Sequence, residues 1–279
     1  MTVRPPKVSI AIPVYRGEAY LAETIDSVLC QSFDDFELII CDDCSDDRSL
    51  AIARSFSDSR MRILQNERNL GFGGNWNRCL AEARGEYIKI LPQDDLLHRD
   101  CLRRQVGVLD DDHLAEVALV FCDRSIIGPS GRVLMTRRFA STGARLAGNE
   151  IARRMARLGT NPIGEPGAVL FRRSAAVSAG PFNGARPFVI DIDYWLRLLT
   201  FGSAGCIPEV LASFRLSRSS QSVRMARAQA AEFSAFLADL HRSGSHHLNL
   251  FDVKMGGLMA AANSVGRSVF YRLAIKERS

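Results

Sequence analysis

The chain has 279 residues, of which 47% are hydrophobic and 24% charged, with a formal net charge of +5. This composition excludes a largely disordered chain, and the longest uncharged apolar run, residues 117–122, falls far short of the roughly 20 residues of a membrane span. Residues 1–7 lack the apolar stretch of a secretory signal, and an odd number of cysteines, seven, favours a reducing compartment over a disulfide framework. We therefore expect a folded, cytoplasmic protein.

Hydrophobic periodicity in the first 125 residues alternates between strand and helix. Apolar runs typical of buried strands lie at 7–12, 36–41, 61–64, 86–91 and 117–122. Apolar residues at helical spacing follow the first three runs, at 21–29, 50–56 and 76–83. This alternation predicts an α/β fold with a Rossmann-like, mostly parallel central sheet and helices on both faces.

The second half of the chain is less regular. Residues 127–134 hold a Gly-Pro-Ser-Gly turn and fit either a hairpin or an excursion loop. The pattern predicts further strands at 167–171 and 210–216, and helices at 191–201, 225–242 and 251–274. The predicted fold therefore ends in C-terminal helices.

The positive charge is concentrated in two parts of the second half. Residues 213–279 hold ten Lys and Arg against four Asp and Glu, and residues 132–157 hold seven Arg against one acid. Such segments suit phosphate-rich partners, either anionic lipid head groups or nucleotides. The alternative, that they form an ordinary solvated helix face, stays open.

Pairs of carboxylates follow two of the predicted strands. Asp42 and Asp43 come after the second strand, and Asp94 and Asp95 come after the fourth. Ligands of open α/β sheets bind at the carboxyl ends of the strands, where four carboxylates repel one another unless a cation or hydrogen-bond donors are present. The arrangement suits a divalent metal that holds a diphosphate, although Asp pairs also form turns and cap helices.

A third acidic pair, Asp191 and Asp193, lies at the start of a predicted helix. Carboxylates are favoured there by the helix dipole, so capping is one explanation. The other is that one of them faces the ligand cleft as a general base.

Taken in order, the segments at 9–18, 31–46, 69–71, 85–95 and 191–197 resemble the family 2 inverting glycosyltransferases, which have the GT-A fold. The resemblance covers residues 7–217. It implies a GT-A domain at 1–217, with a nucleotide-sugar-binding half at about 1–125 and an acceptor half at about 126–217. A basic helical extension at 218–279 follows.

The resemblance also implies roles for single residues. Asp43 would read the base, usually uracil, and Asn69 and Asn75 would lie in the segment that closes over it. Asp95 would be the main ligand of Mg²⁺ or Mn²⁺, and Asp94 would reach the ribose or the metal. Asp191 would be the general base, with Asp193 as the fallback. The full set expected at the nucleotide is Pro13, Val14, Tyr15, Glu18, Asp42, Asp43, Asn69, Asn75 and Asp94.

The sequence departs from the family pattern at three points. Ile190 stands where the family has a Glu before the base, and Ser217 stands where the family has a His after the last strand. The Gln-x-x-Arg-Trp motif of processive synthases is absent, which implies addition of one sugar at a time.

The resemblance implies a function and partners. The protein would move one sugar from a nucleotide-diphosphate donor, UDP-linked, to a hydroxyl of a carbohydrate or lipid-linked acceptor, in cell-surface polysaccharide or glycolipid synthesis. It would contact the inner face of the cytoplasmic membrane peripherally and bind no nucleic acid. Two alternatives stay open: a non-catalytic nucleotide-sugar-binding protein, and a nucleotidyltransferase, which would need a Gly-rich basic loop after the first strand.

Overall fold

The computed structural model describes residues 4–139, 145–217 and 229–275. Within them, the strands are β1 (Val8–Val14), β2 (Phe36–Asp42), β3 (Met61–Gln65), β4 (Tyr87–Ile90), β5 (Leu96–Leu97), β6 (Val117–Ile127), β7 (Val133–Arg137), β8 (Arg145–Leu146), β9 (Val169–Arg172) and β10 (Ser203–Arg215). The helices are α1 (Leu21–Leu29), α2 (Ser49–Ser55), α3 (Gly71–Glu82), α4 (Cys101–Asp110), α5 (Gly148–Leu158), α6 (Arg173–Ala179), α7 (Ile190–Leu198), α8 (Gln229–Arg242) and α9 (Leu250–Ile275). Short 3-10 turns lie at Pro166–Ala168 and Ser245–His247.

All ten strands join one sheet, in the order β3-β2-β1-β4-β9-β6-β10-β5, with β7 beside β6 and β8 beside β10. The parallel arrangement expected from the sequence is found in β3-β2-β1-β4 and again between β6 and β10. Strand β9 runs antiparallel to both of its neighbours, so the second half of the sheet is mixed rather than mostly parallel. The sequence pattern could not show this reversal, because a strand buried on both faces has the same apolar run in either direction.

Helices cover both faces of the sheet, as predicted. One apolar layer lies between the sheet and α1, α2 and α4, and α1 contributes Leu21, Ile25 and Val28 at helical spacing. The other lies between the sheet and α3, α5, α6, α7 and α8, and contains the fully buried Trp195. This double cover explains the near-continuous apolar runs of the first strands.

Some elements differ from the prediction. Residues 127–134 belong to a hairpin, since β6 and β7 pair antiparallel, and β10 begins at Ser203, seven residues before the predicted strand. The pattern did not reveal α4, α5 or α6. Helix α6 buries only two alanines, so it has no large apolar stripe. The buried stripe of α5 is interrupted by arginines and mixes large with small side chains (Ile151, Ala152, Met155, Ala156), which weakens its apolar pattern.

The two C-terminal helices pack on the body of the protein. In α8, Phe233 and Phe236 are part of the core, and Asn263 of α9 donates to the carbonyl of Leu158 (2.7 Å). Gly159 has φ +60°, and a Cβ there would lie 2.4 Å from the backbone nitrogen of Ala260. Residues 218–228 and 276–279 of the proposed extension lie outside the described residues, and no helix of the described part is long and apolar enough to cross a membrane.

Candidate active site

A cavity of about 680 Å³ opens at the carboxyl ends of β1, β2 and β4, where an open α/β sheet is expected to bind its ligand. The segments at 165–166 and 187–191, from the second half of the chain, form a second wall. Its lining consists of Pro13, Val14, Tyr15, Asp43, Asn69, Gly71, Phe72, Asn75, Trp76, Pro92, Gln93, Asp94, Glu165, Pro166, Pro187, Phe188, Ile190, Asp191 and Phe214. Eight residues that the sequence singled out are therefore brought together.

The loops after β1 and β4 are joined by a pair of reciprocal hydrogen bonds. The amide of Tyr15 donates to Gln93 Oε1 (2.8 Å), and Gln93 Nε2 donates to the carbonyl of Tyr15 (3.0 Å). Gly17 leaves room for this contact, since a Cβ there would lie 2.6 Å from Gln93 Oε1. Glu18 lies outside the cavity, where its carboxylate accepts the backbone N–H of Arg48 (3.2 Å).

Asp43 organises the loop that precedes α3. Its Oδ1 accepts Asn66 Nδ2 (2.8 Å) and the amide of Leu70 (2.7 Å), while Oδ2 accepts the amide of Gly71 (3.0 Å). Asn69 donates to the Asp43 carbonyl (3.2 Å). The Asp43 side chain thus holds one wall of the cavity in place.

Its neighbour Asp42 is buried and does not line the cavity. One carboxylate oxygen accepts the amide of Ser45 (3.1 Å), and the other is buried and finds no hydrogen-bond partner among the described residues. Asn75 does reach the cavity wall, and its Nδ2 donates to the carbonyl of Cys41 (2.9 Å).

The two carboxylates after β4 point in different directions. Asp94 lines the cavity, whereas Asp95 is 1% exposed and accepts the backbone N–H of Arg215 (3.0 Å). Burial, and next the charge of Asp94, raise the pKa of Asp95 well above its usual range. Of the pair, only Asp94 lines the cavity, and the assignment of Asp95 as the main metal ligand stays a prediction.

Asp191 lies on the cavity wall, at the start of α7. Its Oδ1 accepts the amide of Ile192 (2.7 Å) and its Oδ2 accepts Asn161 Nδ2 (2.9 Å). The pKa of Asp191 is raised to about 7, first by burial of the carboxylate and then by the negative charge of Glu165. A pKa close to neutral suits a general base.

Asp193, the second candidate for the general base, lies outside the cavity. It accepts Arg197 Nε (3.0 Å) one turn further along α7. Ile190, which stands where the family has Glu, does line it, so this part of the wall is apolar.

Glu165 is a cavity residue that the sequence did not indicate. It forms an ion pair with Arg124, whose guanidinium lies against Gly164, a residue with φ +118°. A Cβ on Gly164 would lie 2.8 Å from the Arg124 guanidinium carbon. The only signal in the sequence was the Gly-Glu-Pro turn, which is common in loops of every function.

Aromatic side chains of the wall were also missed. Phe72 is 38% exposed and its ring lies 4.7 Å from that of the buried Trp76. Near them the backbones of the two walls meet, because a Cβ on Gly73 would lie 2.7 Å from the Cα of Gly184.

Within the described residues, no three His, Cys, Asp or Glu side chains gather as a metal site. A hard divalent cation bound through a substrate diphosphate needs only one or two protein carboxylates. The donor at the cavity, Asp94, is an oxygen ligand of the type that Mg²⁺ and Mn²⁺ prefer, so the residues fit such a cation.

Comparisons with known proteins identify the family. Residues 9–178 match Glycosyl transferase family 2. The chain is 32% identical over 229 residues to "Uncharacterized protein MT1568" of Mycobacterium tuberculosis, covering 79% of this chain and 70% of that protein. It is 32% identical over 208 residues to "Putative glycosyltransferase EpsE" of Bacillus subtilis (72% and 69%). A shorter match, 37% identical over 102 residues, covers 37% of this chain and 40% of the Escherichia coli "UDP-Glc:alpha-D-GlcNAc-diphosphoundecaprenol beta-1,3-glucosyltransferase WfgD".

Solved structures share the fold at low sequence identity. S. aureus TarS 1–349 in complex with UDP superposes with a TM-score of 0.62 at 17% identity, covering 96% of this chain and 91% of that one. Mannosyltransferase PcManGT from Pyrobaculum calidifontis, in complex with GDP-Man and Mn²⁺, gives 0.58 at 17% identity (97% and 83%). The resemblance found in the sequence is thus confirmed: the chain belongs to glycosyl transferase family 2 and has the GT-A fold.

Proposed function

We propose that this glycosyltransferase moves one sugar from a UDP-linked donor to a hydroxyl of an acceptor, with inversion and with help from Mg²⁺ or Mn²⁺. The observation that carries the proposal is one cavity with Asp43, Asp94 and Asp191 on its walls. Its volume lies in the range of roughly 300–1,000 Å³ that is usual for small-molecule sites.

The donor nucleotide would occupy the side of the cavity formed by β1, β2 and α3. Asp43 is a hydrogen-bond acceptor for a ring N–H of uracil, and Tyr15 and Phe72 are exposed aromatic rings against which a base can stack. TarS, which shares the fold, has been solved with UDP and with UDP-GlcNAc, which supports a uridine nucleotide here.

Asp94 would hold the cation, which when bound supplies Lewis-acid stabilisation of the diphosphate leaving group. The complex of PcManGT with GDP-Man and Mn²⁺ supports a divalent metal in this fold. Asp95 and Arg215 would support Asp94 through hydrogen bonds to one another and to the Asp94 backbone. Arg215 Nε donates to the carbonyl of Asp94 (2.9 Å), and its amide donates to Asp95 (3.0 Å), so together they hold the Asp94 backbone in position.

Asp191 would take the proton of the acceptor hydroxyl as that oxygen attacks the anomeric carbon. A hydroxyl is a poor nucleophile near pH 7, and a base whose pKa lies close to the working pH serves best. Asp191 belongs to the 187–191 segment and not to the strand ends proposed to hold the donor, which supports an attack from the face away from the diphosphate that would invert that carbon. A single base is then enough, and no covalent intermediate on the enzyme is needed.

The acceptor would be a carbohydrate or a lipid-linked sugar in cell-surface polysaccharide synthesis. The names of the matching E. coli glucosyltransferase WfgD and of the B. subtilis teichuronic acid biosynthesis protein TuaG support this setting. Contact with an anionic membrane would rest on the C-terminal extension. Part of the charge in the 132–157 stretch is used internally, as Arg145 pairs with Asp112 and Glu116, and Arg157 with Asp252.

The test is calorimetry with a panel of nucleotide sugars, with and without Mn²⁺, followed by an assay for released nucleoside diphosphate. We expect Asp191→Asn to lower turnover by about 10²–10⁴ with donor affinity nearly unchanged. Asp193→Asn is the matched control, because it changes the same group on the same helix outside the cavity. Absence of nucleotide-sugar binding, or equal damage from the two variants, would overturn the proposal.

A further inference from the structure

A second, smaller cavity of about 110 Å³ adjoins the first. The two share Glu165, Phe188, Asp191 and Phe214, so these residues form the neck between them. Asp191 therefore faces both spaces. An acceptor hydroxyl that reaches Asp191 from the side away from the donor must enter the neck, and the rest of the acceptor extends toward the second cavity.

Arginines dominate the charge of the second cavity. Arg124 of β6, Arg137 of β7 and Arg267 of α9 line it, against the two acids of the neck. Arg124 is paired with Glu165, whereas half-buried Arg137 is in no ion pair with any of the described residues. Arg267 lies over the ring of Phe188, with its guanidinium carbon 5.5 Å from the ring centroid. The cavity is thus cationic at its far side, beyond the neck.

The size of the second cavity limits what it can hold. At 110 Å³ it is smaller than the roughly 150 Å³ cavity that takes up one benzene ring. A further sugar ring does not fit, but a single phosphate or carboxylate group does. Guanidinium groups suit such anions, because their planar N–H donors match the oxygens in pairs.

We propose that the second cavity is a subsite for an anionic group carried by the acceptor sugar, and that Arg137 is a residue that determines acceptor specificity. This inference rests on the proposed function, since it takes Asp191 as the base that receives the acceptor hydroxyl. The chemical class of acceptor is a glycosyl phosphate or a uronic acid. A phosphate could belong to a free sugar phosphate or to a lipid-linked diphosphate sugar.

The experiment measures acceptor binding by calorimetry on the full chain, with UDP and Mn²⁺ present to fill the donor side. The probes are a set of hexose 1-phosphates, the same hexoses as neutral methyl glycosides, the 1-diphosphates with a short alkyl chain, glucuronic acid and inorganic phosphate. Arg137→Gln removes the cation, and Arg137→Lys keeps it. Arg153→Gln is the matched control, because Arg153 is exposed on α5 and lines neither cavity.

We expect at least one anionic sugar to bind ten times or more tightly than its methyl glycoside, since a charged hydrogen bond changes affinity by about 10- to 150-fold. Arg137→Gln should abolish this preference, Arg137→Lys should restore part of it, and Arg153→Gln should leave it intact. A preference for the alkyl diphosphates over the free 1-phosphates identifies the lipid-linked source, and the reverse order identifies the free sugar phosphate.

Three results would overturn the inference: neutral and anionic sugars that bind alike, a preference that survives in Arg137→Gln, or inorganic phosphate that binds as tightly as the sugar phosphates. Failure of the proposed function has a different signature. In that case UDP itself does not bind, whatever the acceptor probes do.

Discussion

Replacing Glu165 by Gln should shift the pH dependence of catalysis without removing the base. The pKa of Asp191 rises from 3.8 to about 7, and the negative charge of Glu165 is its second cause after burial. Glu165→Gln keeps the volume but removes that charge, and it leaves the cation of Arg124 behind. Because a carboxyl ionises more readily when a negative neighbour is lost, the pKa of Asp191 should fall.

The total rise of about three units corresponds to about 4 kcal/mol, at 1.36 kcal/mol per unit. Since burial is the larger cause and is unchanged by the substitution, we expect a fall of about one unit, to about pKa 6. At about pH 6 the ionised fraction of the base then rises from about a tenth to about a half, so activity at this pH relative to the plateau rises about fivefold.

The assay is kcat/KM measured from about pH 5 to 9 at constant ionic strength, because this parameter reports the ionisations of the free enzyme. Glu86→Gln is the matched control. Glu86 directly precedes β4, at the end of the sheet opposite the cavity, where it pairs with Lys7. If the acidic side of the kcat/KM profile of Glu165→Gln lies at the same pH as in the wild type, or at higher pH, the coupling between Glu165 and Asp191 is refuted.

Three further predictions concern the metal, the donor and the membrane. Asp94→Asn should abolish metal-dependent diphosphate binding. Asp95→Asn should keep that binding, because an amide oxygen still accepts the Arg215 N–H. Calorimetry with and without Mn²⁺ measures both, and the reverse pattern would show that Asp95 is the ligand. Asp43→Ala leaves three donors without their acceptor, so we expect about 1–3 kcal/mol less stability in thermal unfolding and about 10- to 150-fold weaker UDP binding. Asp46→Ala is its control, because Asp46 is an exposed residue of the same loop that pairs with Arg16 and lies outside the cavity; equal effects of the two would contradict a specific role of Asp43. The protein should sediment with anionic liposomes at low salt and be released at high salt, because each Lys or Arg near an anionic membrane surface contributes about 1 kcal/mol to binding. Binding to neutral liposomes alone would contradict this electrostatic explanation.

The strands and helices that were predicted correctly are those that bury a regular apolar pattern. Strands β1 to β4 lie where the apolar runs predicted them; β1, β2 and β4 are buried throughout, and β3 is a half-buried edge strand. The apolar run at 167–171 predicted strand β9 but not its direction, because a buried strand has the same apolar pattern whether it runs parallel or antiparallel to its neighbours. Helix α6 was missed because its only buried residues are Ala175 and Ala176, so it lacks a stripe of large apolar side chains.

The residues of the candidate site were likewise predicted only in part. The motif residues Asp43, Asp94 and Asp191 were identified from order and spacing, and the structure brings them to one cavity. Which residue of a neighbouring pair lines the cavity depends on backbone direction at the strand end, so the sequence could not show that Asp94 lines it and Asp95 does not. Glu165 comes from a loop with no periodic pattern, and its nearness to Asp191 depends on the fold of residues 161–191 as a whole.

The contact between Gly73 and Gly184 has a consequence for the distance over which a sugar can be transferred. The two walls of the cavity meet there through backbone atoms, with no side chain between them. A side chain can change rotamer and let two surfaces slide apart or together, but two backbones in van der Waals contact have little such freedom. This contact therefore fixes, through the main chain, the spacing between helix α3 and the segment that leads into Asp191. If α3 lies on the donor side and Asp191 is the base, side chains of the cavity surface can change to accommodate another sugar while the contact keeps that spacing.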